Sequence, residues 1–268
     1  MLKKLFPLLI IVALVVSGFV AKNTMRSIPN ESFSTGEVLK YKVHYGYVNA
    51  AEAVIDIAPA VHKINDRPCY KVNVFGKTTG SFDFFLRIRD NWSSFIDTSA
   101  IVPHRFVRDI EEGKYRKKEI THFDHYRNTA LVEDKKKKEN GGTYNVPDNV
   151  QDLVSGFYYL RTINFDRYKP GDIIKVPGFL DDEVFDMSVR YMGSETVETK
   201  AGKFRAIRLV PKMPSNKLFS GEDAISVYLS DDRNKIPVLI KAEMFVGSVK
   251  VDLYDYKGLK HNLELAKR

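Results

Sequence analysis

The sequence predicts a mainly antiparallel β protein, built of two related curved-sheet or half-barrel halves that one central helix joins. Two observations lead to this fold class. Short runs rich in Val, Ile, Tyr and Phe, separated by Gly, Pro, Asn or Asp, recur along most of the chain, which is typical of strands and turns. Two long stretches also match each other at a constant spacing, which indicates an internal repeat.

The alternation is clearest in "EVLKYKVHYGYV" at residues 37–48. There Leu39, Tyr41, Val43 and Tyr45 share one face of the predicted strand and polar side chains share the other, as expected for a sheet with one buried face. Later strands are predicted in "NWSSFID", "RFVRDIEE", "DIIKVP", "EVFDMSVRYM", "SETVETK" and "SVKVDLYDY". Residues 111–114 and 246–248 have the composition of hairpin turns.

The repeat sets the predicted domain boundaries. Asp97 aligns with Asp231, Pro103 with Pro237 and Gly113 with Gly247, each pair 134 positions apart, and Gly36 aligns with Gly171 at 135. We therefore assign 33–146 to a first β half, 147–170 to a connecting helix and linker, 171–257 to a second β half and 258–268 to a tail.

The N-terminus has the pattern of a bacterial secretory signal, which we assign to residues 1–22. Lys3 and Lys4 precede an apolar run, and Gly18 offers a cleavage position. The alternative is an uncleaved anchor, because the apolar stretch continues to Val20 and is nearly long enough to span a bilayer. Phe19 stands where a lipoprotein signal needs a cysteine. We expect export to the periplasm or outer envelope, with membrane contact only through this segment if it is retained.

The composition excludes some classes of protein and favours others. Cys69 is the only cysteine of the 268 residues, so no intramolecular disulfide can form, and we expect it to be a small buried side chain on a strand. The net charge of +8 includes Lys135 to Lys138, predicted to be a solvated loop. A basic surface favours anionic envelope partners. No nucleic-acid-binding module is present, so nucleic acid is not an expected partner.

The predicted central helix begins near Asp148 or Asn149, either of which can serve as the N-cap. Its apolar stripe contains Val150, Val154 and Phe157, with Arg161 one turn further along. An arginine at the end of such a stripe either extends past the helix terminus into water, which we favour, or reaches a buried carboxylate or carbonyl.

Aromatic residues crowd the first half and the helix, and they give two interpretations. A strand over 82–86 would place Phe82, Phe84 and Leu86 on one face and Phe85 on the other, and large rings on a strand usually fill the core. The alternative is an apolar groove for a lipid-like ligand between the sheet and the helix. The candidate groove residues are Trp92, Phe157, Tyr158, Tyr159 and Arg161.

No residues with catalytic or metal-binding spacing stand out. His122 and His125 would point to opposite faces of a strand, which argues against a metal site. The carboxylates of "FLDDEVFD" and "SDDRN" fall at predicted turns, where Asp is favoured for local hydrogen bonding. There is no Gly-x-Ser-x-Gly elbow and no glycine-rich phosphate loop. We predict no catalytic residues, no metal and no cofactor.

The segments "GEVLKYKVHYGYVNAAEAVIDI", "VQDLVSGFYYLR", "GSETVETKAGKFRAIRLVP" and "YLSDDRNKIPVLIKAEMFVGSVKVDL" occur in this order. The chain is similar in these segments, from Phe33 to Tyr256, to an uncharacterised family of exported proteins of Gram-negative bacteria, a domain of unknown function. The resemblance implies a mainly antiparallel β protein of the envelope and supplies no reaction. The general shape is also similar to that of periplasmic lipoprotein carriers, as an analogy of fold alone.

The sequence leaves three functional hypotheses open. The favoured one is a non-enzymatic binding protein for an amphiphilic or anionic envelope component. The second is a structural or assembly protein that pairs through β edges. The third is a hydrolase of envelope polymers that uses some of the carboxylates Asp181, Asp182, Asp186, Asp231 and Asp232.

Overall fold

The residues that the structure describes form one large antiparallel sheet, one small hairpin and two short α-helices. The computed structural model describes residues 25–134, 141–212 and 223–266. The predicted signal segment and Lys135 to Lys138 lie outside these residues. The strands of the described residues are β1 (Val38–Tyr45), β2 (Val48–Ile57), β3 (His62–Ile64), β4 (Arg67–Thr78), β5 (Arg89–Asp97), β6 (Pro103–Glu112), β7 (Tyr115–Asp124), β8 (Thr129–Asp134), β9 (Gly142–Asn145), β10 (Ile173–Ile174), β11 (Pro177–Leu180), β12 (Glu183–Asp186), β13 (Val189–Thr199), β14 (Gly202–Pro211), β15 (Ile225–Ser230), β16 (Pro237–Glu243) and β17 (Ser248–Lys257).

The large sheet has the strand order β10-β13-β14-β15-β16-β17-β1-β2-β4-β5-β6-β7-β8-β9, with β3 added beside β4. All of its paired strands are antiparallel. Strands β11 and β12 form a separate hairpin. Because β17 pairs with β1, the first and last strands are neighbours in the middle of the sheet. The prediction of a mainly antiparallel β protein is confirmed.

The strands of the large sheet have two ends. At the first, which we name the Gly46 end, lie the turns after β1, β6 and β16, where Gly46, Gly113 and Gly247 have φ of 56°, 55° and 75°. Glycine adopts this left-handed conformation without a steric penalty, and the hairpin turns predicted at 111–114 and 246–248 are present. At the other end, which we name the Asp97 end, lie the turns after β5 and β15.

The helices include one that the sequence analysis missed. Helix α1 (Gly80–Phe85) occupies the segment that was predicted as a strand, so the assignment of Phe82, Phe84 and Leu86 to one strand face is wrong. Helix α2 (Leu153–Leu160) is the predicted central helix, and a 3₁₀ turn (Phe165–Arg167) follows it. None of the helices among the described residues is long and apolar enough to span a bilayer.

Two predicted strands of the second half are divided differently in the structure. The segment "EVFDMSVRYM" splits between β12 and β13 because the backbone N–H of Met187 donates to Val176 and that of Ser188 donates to the carboxylate of Asp186. Strand β13 then runs without interruption into the predicted separate strand "SETVETK". The segment "DIIKVP" is also divided: Ile173 and Ile174 form β10 in the large sheet, whereas Pro177 begins β11 in the small hairpin.

Within the described ranges, the core consists of three clusters of buried apolar side chains, and α2 contacts two of them. Val154 and Tyr158 belong to the cluster formed with β4 to β7, whereas Leu160 belongs to the cluster formed with β13 to β15. Phe157 also packs against the latter. Helix α2 therefore packs on two regions of the large sheet, β4 to β7 and β13 to β15. Cys69 is fully buried on β4, as predicted, and burial raises the pKa of its thiol to about 12.

Helix α2 begins later than the capping residues of the sequence suggested. Its N-cap is Asp152, whose carboxylate accepts hydrogen bonds from the backbone N–H groups of Val154 (2.8 Å) and Ser155 (2.7 Å). The assignment of the N-cap to Asp148 or Asn149 is wrong, because Asn149 has a φ of 56° and Gln151 pairs with Gly178 in a β-bridge. The second oxygen of Asp152 accepts a hydrogen bond from the Ser94 hydroxyl at 2.6 Å.

Replacing Asp152 with Ala is expected to destabilise the protein by about 2 kcal/mol, because two helix N–H groups and the buried Ser94 hydroxyl lose their acceptor. Urea unfolding followed by circular dichroism measures the change.

The stability that depends on Asp152 should also change with pH. Burial raises the pKa of Asp152 to about 6, above its value in the unfolded chain, so ionisation of this carboxyl opposes folding. The free energy of unfolding should therefore fall as the pH rises from the unfolded pKa to the folded one. Asp152→Asn should lack that pH dependence; a variant that retains it would contradict the assignment.

Candidate functional site

A buried ion pair between Arg161 and Glu37 lies at the C-terminal end of α2. The two Arg161 Nη atoms donate to the two oxygens of Glu37 at 2.6 and 2.7 Å, and both side chains are 1% exposed. Glu37 comes directly before β1, 124 positions away in the sequence. This two-point geometry is the strong form of an arginine–carboxylate contact.

The remaining donors of Arg161 connect further segments. Its Nε and one Nη donate to the backbone carbonyl of Asn234, in the turn between β15 and β16, at 3.2 and 3.0 Å. The rings of Phe33 and Tyr158 lie 5.1 and 5.0 Å from the guanidinium carbon. Burial acts to lower the pKa of Arg161, but Glu37 outweighs burial and the net shift is upward. The expectation that Arg161 extends into water is wrong, because these partners hold it inside the protein.

Beside this ion pair a cleft of about 560 Å³ opens to solvent. It lies between the N-terminal segment, the end of α2 and the turn after β15, and it shares Ser32 with the surroundings of Arg161. We name it the cleft, and its lining residues fall into two groups. The apolar ones are Ile28, Pro29, Tyr159, Ile163 and Tyr168; the polar ones include Glu31, Thr162, Asn164, Arg167 and Lys235.

Two cations line the cleft and give it a positive character. Lys235 is half-buried, and burial lowers the pKa of its ammonium. Within the part of the chain that the structure describes, this ammonium forms no ion pair within 4.0 Å. Arg167 is exposed at the rim of the same cleft, whereas the nearby carboxylate of Glu31 is paired with Arg233 at 2.9 Å. An unpaired cation beside an apolar wall suits a ligand that carries both a negative charge and a hydrocarbon part.

The five candidate groove residues of the sequence analysis are placed at several locations. Tyr159 lines the cleft, and its ring lies 4.6 Å from the guanidinium carbon of Arg26. Tyr158 and Arg161 are buried directly behind it. Phe157 packs against the cluster of β13 to β15, and Trp92 packs against the cluster of β4 to β7. Tyr159 is thus the member of this set that borders the cleft.

A second buried polar group lies at the Asp97 end. Arg67 donates to both oxygens of Asp97 at 2.6 and 3.0 Å, and His104 Nε2 donates to one of them at 3.1 Å. The backbone N–H groups of Ser99 and Ala100 also donate to Asp97, each at 2.8 Å. The other ring nitrogen of His104, Nδ1, is buried and has no hydrogen-bond partner among the described residues. This arrangement positions the turn after β5.

The carboxylates of the hydrolase hypothesis serve other contacts. Asp181 accepts from Arg108 at 2.7 Å and from Lys117 at 2.9 Å, and it lies with Asp182 in the turn between β11 and β12. Asp186 pairs with Lys212 and Asp231 with Arg205. Asp232 accepts from backbone N–H groups of its own turn. Among the described residues, no group of three His, Cys, Asp or Glu side chains is arranged to hold a metal ion.

Sequence reasoning missed Glu37, Asn234 and Lys235, which surround or line the site. In the sequence, Glu37 is a polar residue at the start of a predicted strand, and Asn234 and Lys235 belong to a predicted polar turn. One available indication was the arginine at the end of an apolar helix stripe, which requires either solvent or a buried acceptor. The sequence could not say which carboxylate or carbonyl that acceptor is.

Comparison with solved structures shows which fold this chain shares. In a barrel-like protein of Brucella abortus, described as a domain of unknown function, DUF1849, the fold is the same at 13% identity and a TM-score of 0.54; the match covers 87% of this chain and 99% of that one. A protein of Parabacteroides distasonis inferred to be a lipoprotein matches at 11% identity and a TM-score of 0.36, over 87% and 100% of the two chains. A protein of Bacteroides fragilis inferred to be exported, with a YmcC-like fold, matches at 11% identity and a TM-score of 0.37, over 88% and 100%.

The family follows from the sequence itself. The model of the family described as "Protein of unknown function (DUF3108)" matches residues 40–254, and this chain belongs to that family. The resemblance to a domain of unknown function is confirmed. No curated protein matches the chain.

Proposed function

We propose that this chain is an exported, non-enzymatic envelope protein that binds an amphiphilic or anionic envelope component, and that the cleft is its binding site. One observation carries the proposal: Lys235 is half-buried, lines a cleft with an apolar wall and forms no ion pair within 4.0 Å among the described residues, although Asp232, Asp166 and Asp231 attract its ammonium from a greater distance. A ligand with an anionic group would supply the missing charge partner. The volume of the cleft is within the usual range for small-molecule sites.

Export is part of the proposal and is supported by the N-terminal sequence. Lys3 and Lys4 followed by an apolar run are typical of a secretory signal. The periplasm or the outer envelope would bring the cleft close to lipids and acidic polymers.

A relation between the two β halves is also proposed, with α2 as their connection. Equivalent backbone positions support it: Gly36 and Gly171 have φ of 87° and 102°, and Ile101 and Lys235, which are 134 positions apart, have φ of 50° and 45°. A positive φ is uncommon for Ile and Lys, so its recurrence at this spacing argues for a shared turn design.

Native mass spectrometry of the protein purified from its envelope tests the proposal directly. We expect an anionic amphiphile to co-purify with a monomer. The purified protein should also bind lysophosphatidylglycerol, used below its micellar concentration, in isothermal titration calorimetry. Lys235→Gln and Tyr159→Ala should each weaken this binding about tenfold, which corresponds to about 1.4 kcal/mol.

Lys203→Gln is the matched control, because Lys203 is exposed on β14 outside the cleft. Binding that is equally strong in the Lys235 and Lys203 variants would contradict the proposal. An oligomer without bound amphiphile would favour instead the assembly function through β9 and β10, the two edges of the large sheet.

A further inference from the structure

The most exposed apolar side chains of the described residues are gathered at one place. Five large apolar residues are 67% exposed or more, and all five lie on the turns and the helix at the Gly46 end. Together with Leu86 they form what we name the apolar rim: Tyr47, Phe84, Phe85, Leu86, Phe245 and Val246. Contiguous exposed apolar surface on a soluble domain usually marks an interaction site.

Helix α1 presents its rings to solvent without the support of a core. None of its residues is buried, and the rings of Phe84 and Phe85 contact each other edge-on at 5.5 Å. Polar contacts hold the helix instead: Asp83 accepts from Arg89 at 2.6 and 3.0 Å and from the Thr78 hydroxyl at 2.7 Å. These contacts, that of Arg89 first, lower the pKa of Asp83 to about 2. The orientation of α1 is fixed, although Phe84 and Phe85 remain exposed among the described residues.

The turns of the rim also contain internal hydrogen bonds to their backbone. The N–H of Gly46 donates to Ser248 at 2.9 Å, and the Tyr45 hydroxyl donates to the Val246 carbonyl at 2.7 Å. The ring of Tyr45 lies 6.1 Å from that of Phe82, which joins the turn after β1 to α1. Segments that enter an apolar medium need internal partners for their polar backbone groups, and these segments have several.

Basic side chains border the rim in a small net excess. Residues 77–90 contain three basic and two acidic side chains, and residues 111–118 contain four basic and two acidic ones. Arg87 and Lys114 are exposed next to Leu86 and the turn after β6. Arg87 lies 3.7 Å from Glu111, a carboxylate that it shares with Arg116, whereas Lys114 forms no ion pair among the described residues. Exposed aromatic and aliphatic side chains flanked by Lys and Arg fit the interface of an anionic bilayer, where rings enter the headgroup region and cations contact the phosphates.

We propose that the apolar rim docks this protein onto the surface of an anionic phospholipid membrane. The N-terminal segment is at the other end of the strands, because Arg26 donates to the carbonyls of Ala100 and Ile101 and Ile28 donates to Ser99. Docking through the rim is therefore separate from any contact made by the predicted signal segment. The cleft also lies at the Asp97 end, so a membrane-bound molecule would keep its cleft open to the aqueous phase.

A fluorescent reporter in the rim tests the proposal at the level of a single residue. The protein has one tryptophan, Trp92, which provides the background signal. In Phe84→Trp, vesicles with 30% phosphatidylglycerol should shift the emission to shorter wavelength, and brominated phospholipid should quench it about twofold. The control Tyr126→Trp, on the turn after β7 at the Asp97 end, should change in neither way. Unchanged emission of Phe84→Trp would overturn the proposal.

Co-sedimentation provides the second measurement. Phe84→Ser/Phe85→Ser should lower vesicle affinity about tenfold or more, since burial of apolar area drives interfacial binding, whereas Tyr126→Ser should not. The wild type should bind neutral vesicles more weakly than anionic ones, and its binding to anionic vesicles should weaken at higher salt. Equal sedimentation of all variants would overturn the proposal, as would a dimer that the Phe84/Phe85 variant converts to monomer without any vesicle binding. Lys235→Gln should sediment like the wild type, which separates this proposal from that of the cleft.

Discussion

Arg161→Met is expected to destabilise the protein by about 3–5 kcal/mol, because it leaves the carboxylate of Glu37 buried without its partner. The bidentate contact and two hydrogen bonds to Asn234 are lost together. Domains of this kind are stabilised by only about 5–15 kcal/mol in total. Chemical denaturation followed by circular dichroism gives the change in the free energy of unfolding.

The double variant Glu37→Leu/Arg161→Met keeps this prediction testable if the single variant does not fold. Removing both charges avoids an uncompensated buried carboxylate, so the double variant should be more stable than Arg161→Met alone. Arg205→Met is the matched control, since Arg205 pairs with Asp231 at 2.8 Å on the surface. Exposed pairs contribute about 0–1 kcal/mol. Equal losses in the two single Arg variants would refute the role assigned to Arg161.

Asp97→Asn is expected to destabilise the protein by about 3 kcal/mol at neutral pH, because an amide cannot accept all five hydrogen bonds and carries no charge opposite Arg67. The side chain of Asp97 is fully buried. Thermal and urea unfolding of variant and wild type at pH 7 measure the difference. Asp66→Asn, which alters an exposed pair with Lys63, should leave the unfolding midpoint unchanged.

The pH dependence of this difference has a definite sign. Burial acts to raise the pKa of Asp97, but hydrogen bonds from His104, Arg67 and the turn outweigh burial and lower it. A carboxyl whose pKa is lower in the folded protein contributes its full stability above its unfolded pKa, about 3.9. The difference in the free energy of unfolding between wild type and Asp97→Asn should therefore be constant from about pH 5 upward and shrink below about pH 4. A gap that widens in acid would contradict this account.

Local patterns in the sequence predicted the strands well because a half-buried sheet imposes a period of two. Leu39 and Tyr41, assigned to the apolar face of β1, are both buried. The pattern failed at α1, where Phe82, Phe84 and Leu86 also alternate. Apolar alternation implies a strand only when the sheet or the core receives the side chains, and here Asp83, Thr78 and Arg89 fix a helix whose rings remain outside.

The site depended on contacts that no local pattern contains. Arg161 was identified from its position on α2, yet its partner Glu37 is 124 residues away and Asn234 is 73 residues away. Similarly, Lys235 enters the cleft because of the turn after β15, whose backbone adopts a positive φ. A periodicity argument treats such turn residues as solvated. Their burial is decided by the packing of the N-terminal segment and α2 against them.

The pairing of β1 with β17 has a consequence for how the chain acquires its structure. Nearly the whole sequence separates these two strands, and contacts of such separation form slowly. During synthesis β1 must wait with an open edge until the last strand is available, so the central sheet cannot close on a growing chain. This late closure would suit the export that we propose, because a chain that cannot complete its sheet early could still cross a membrane before it folds.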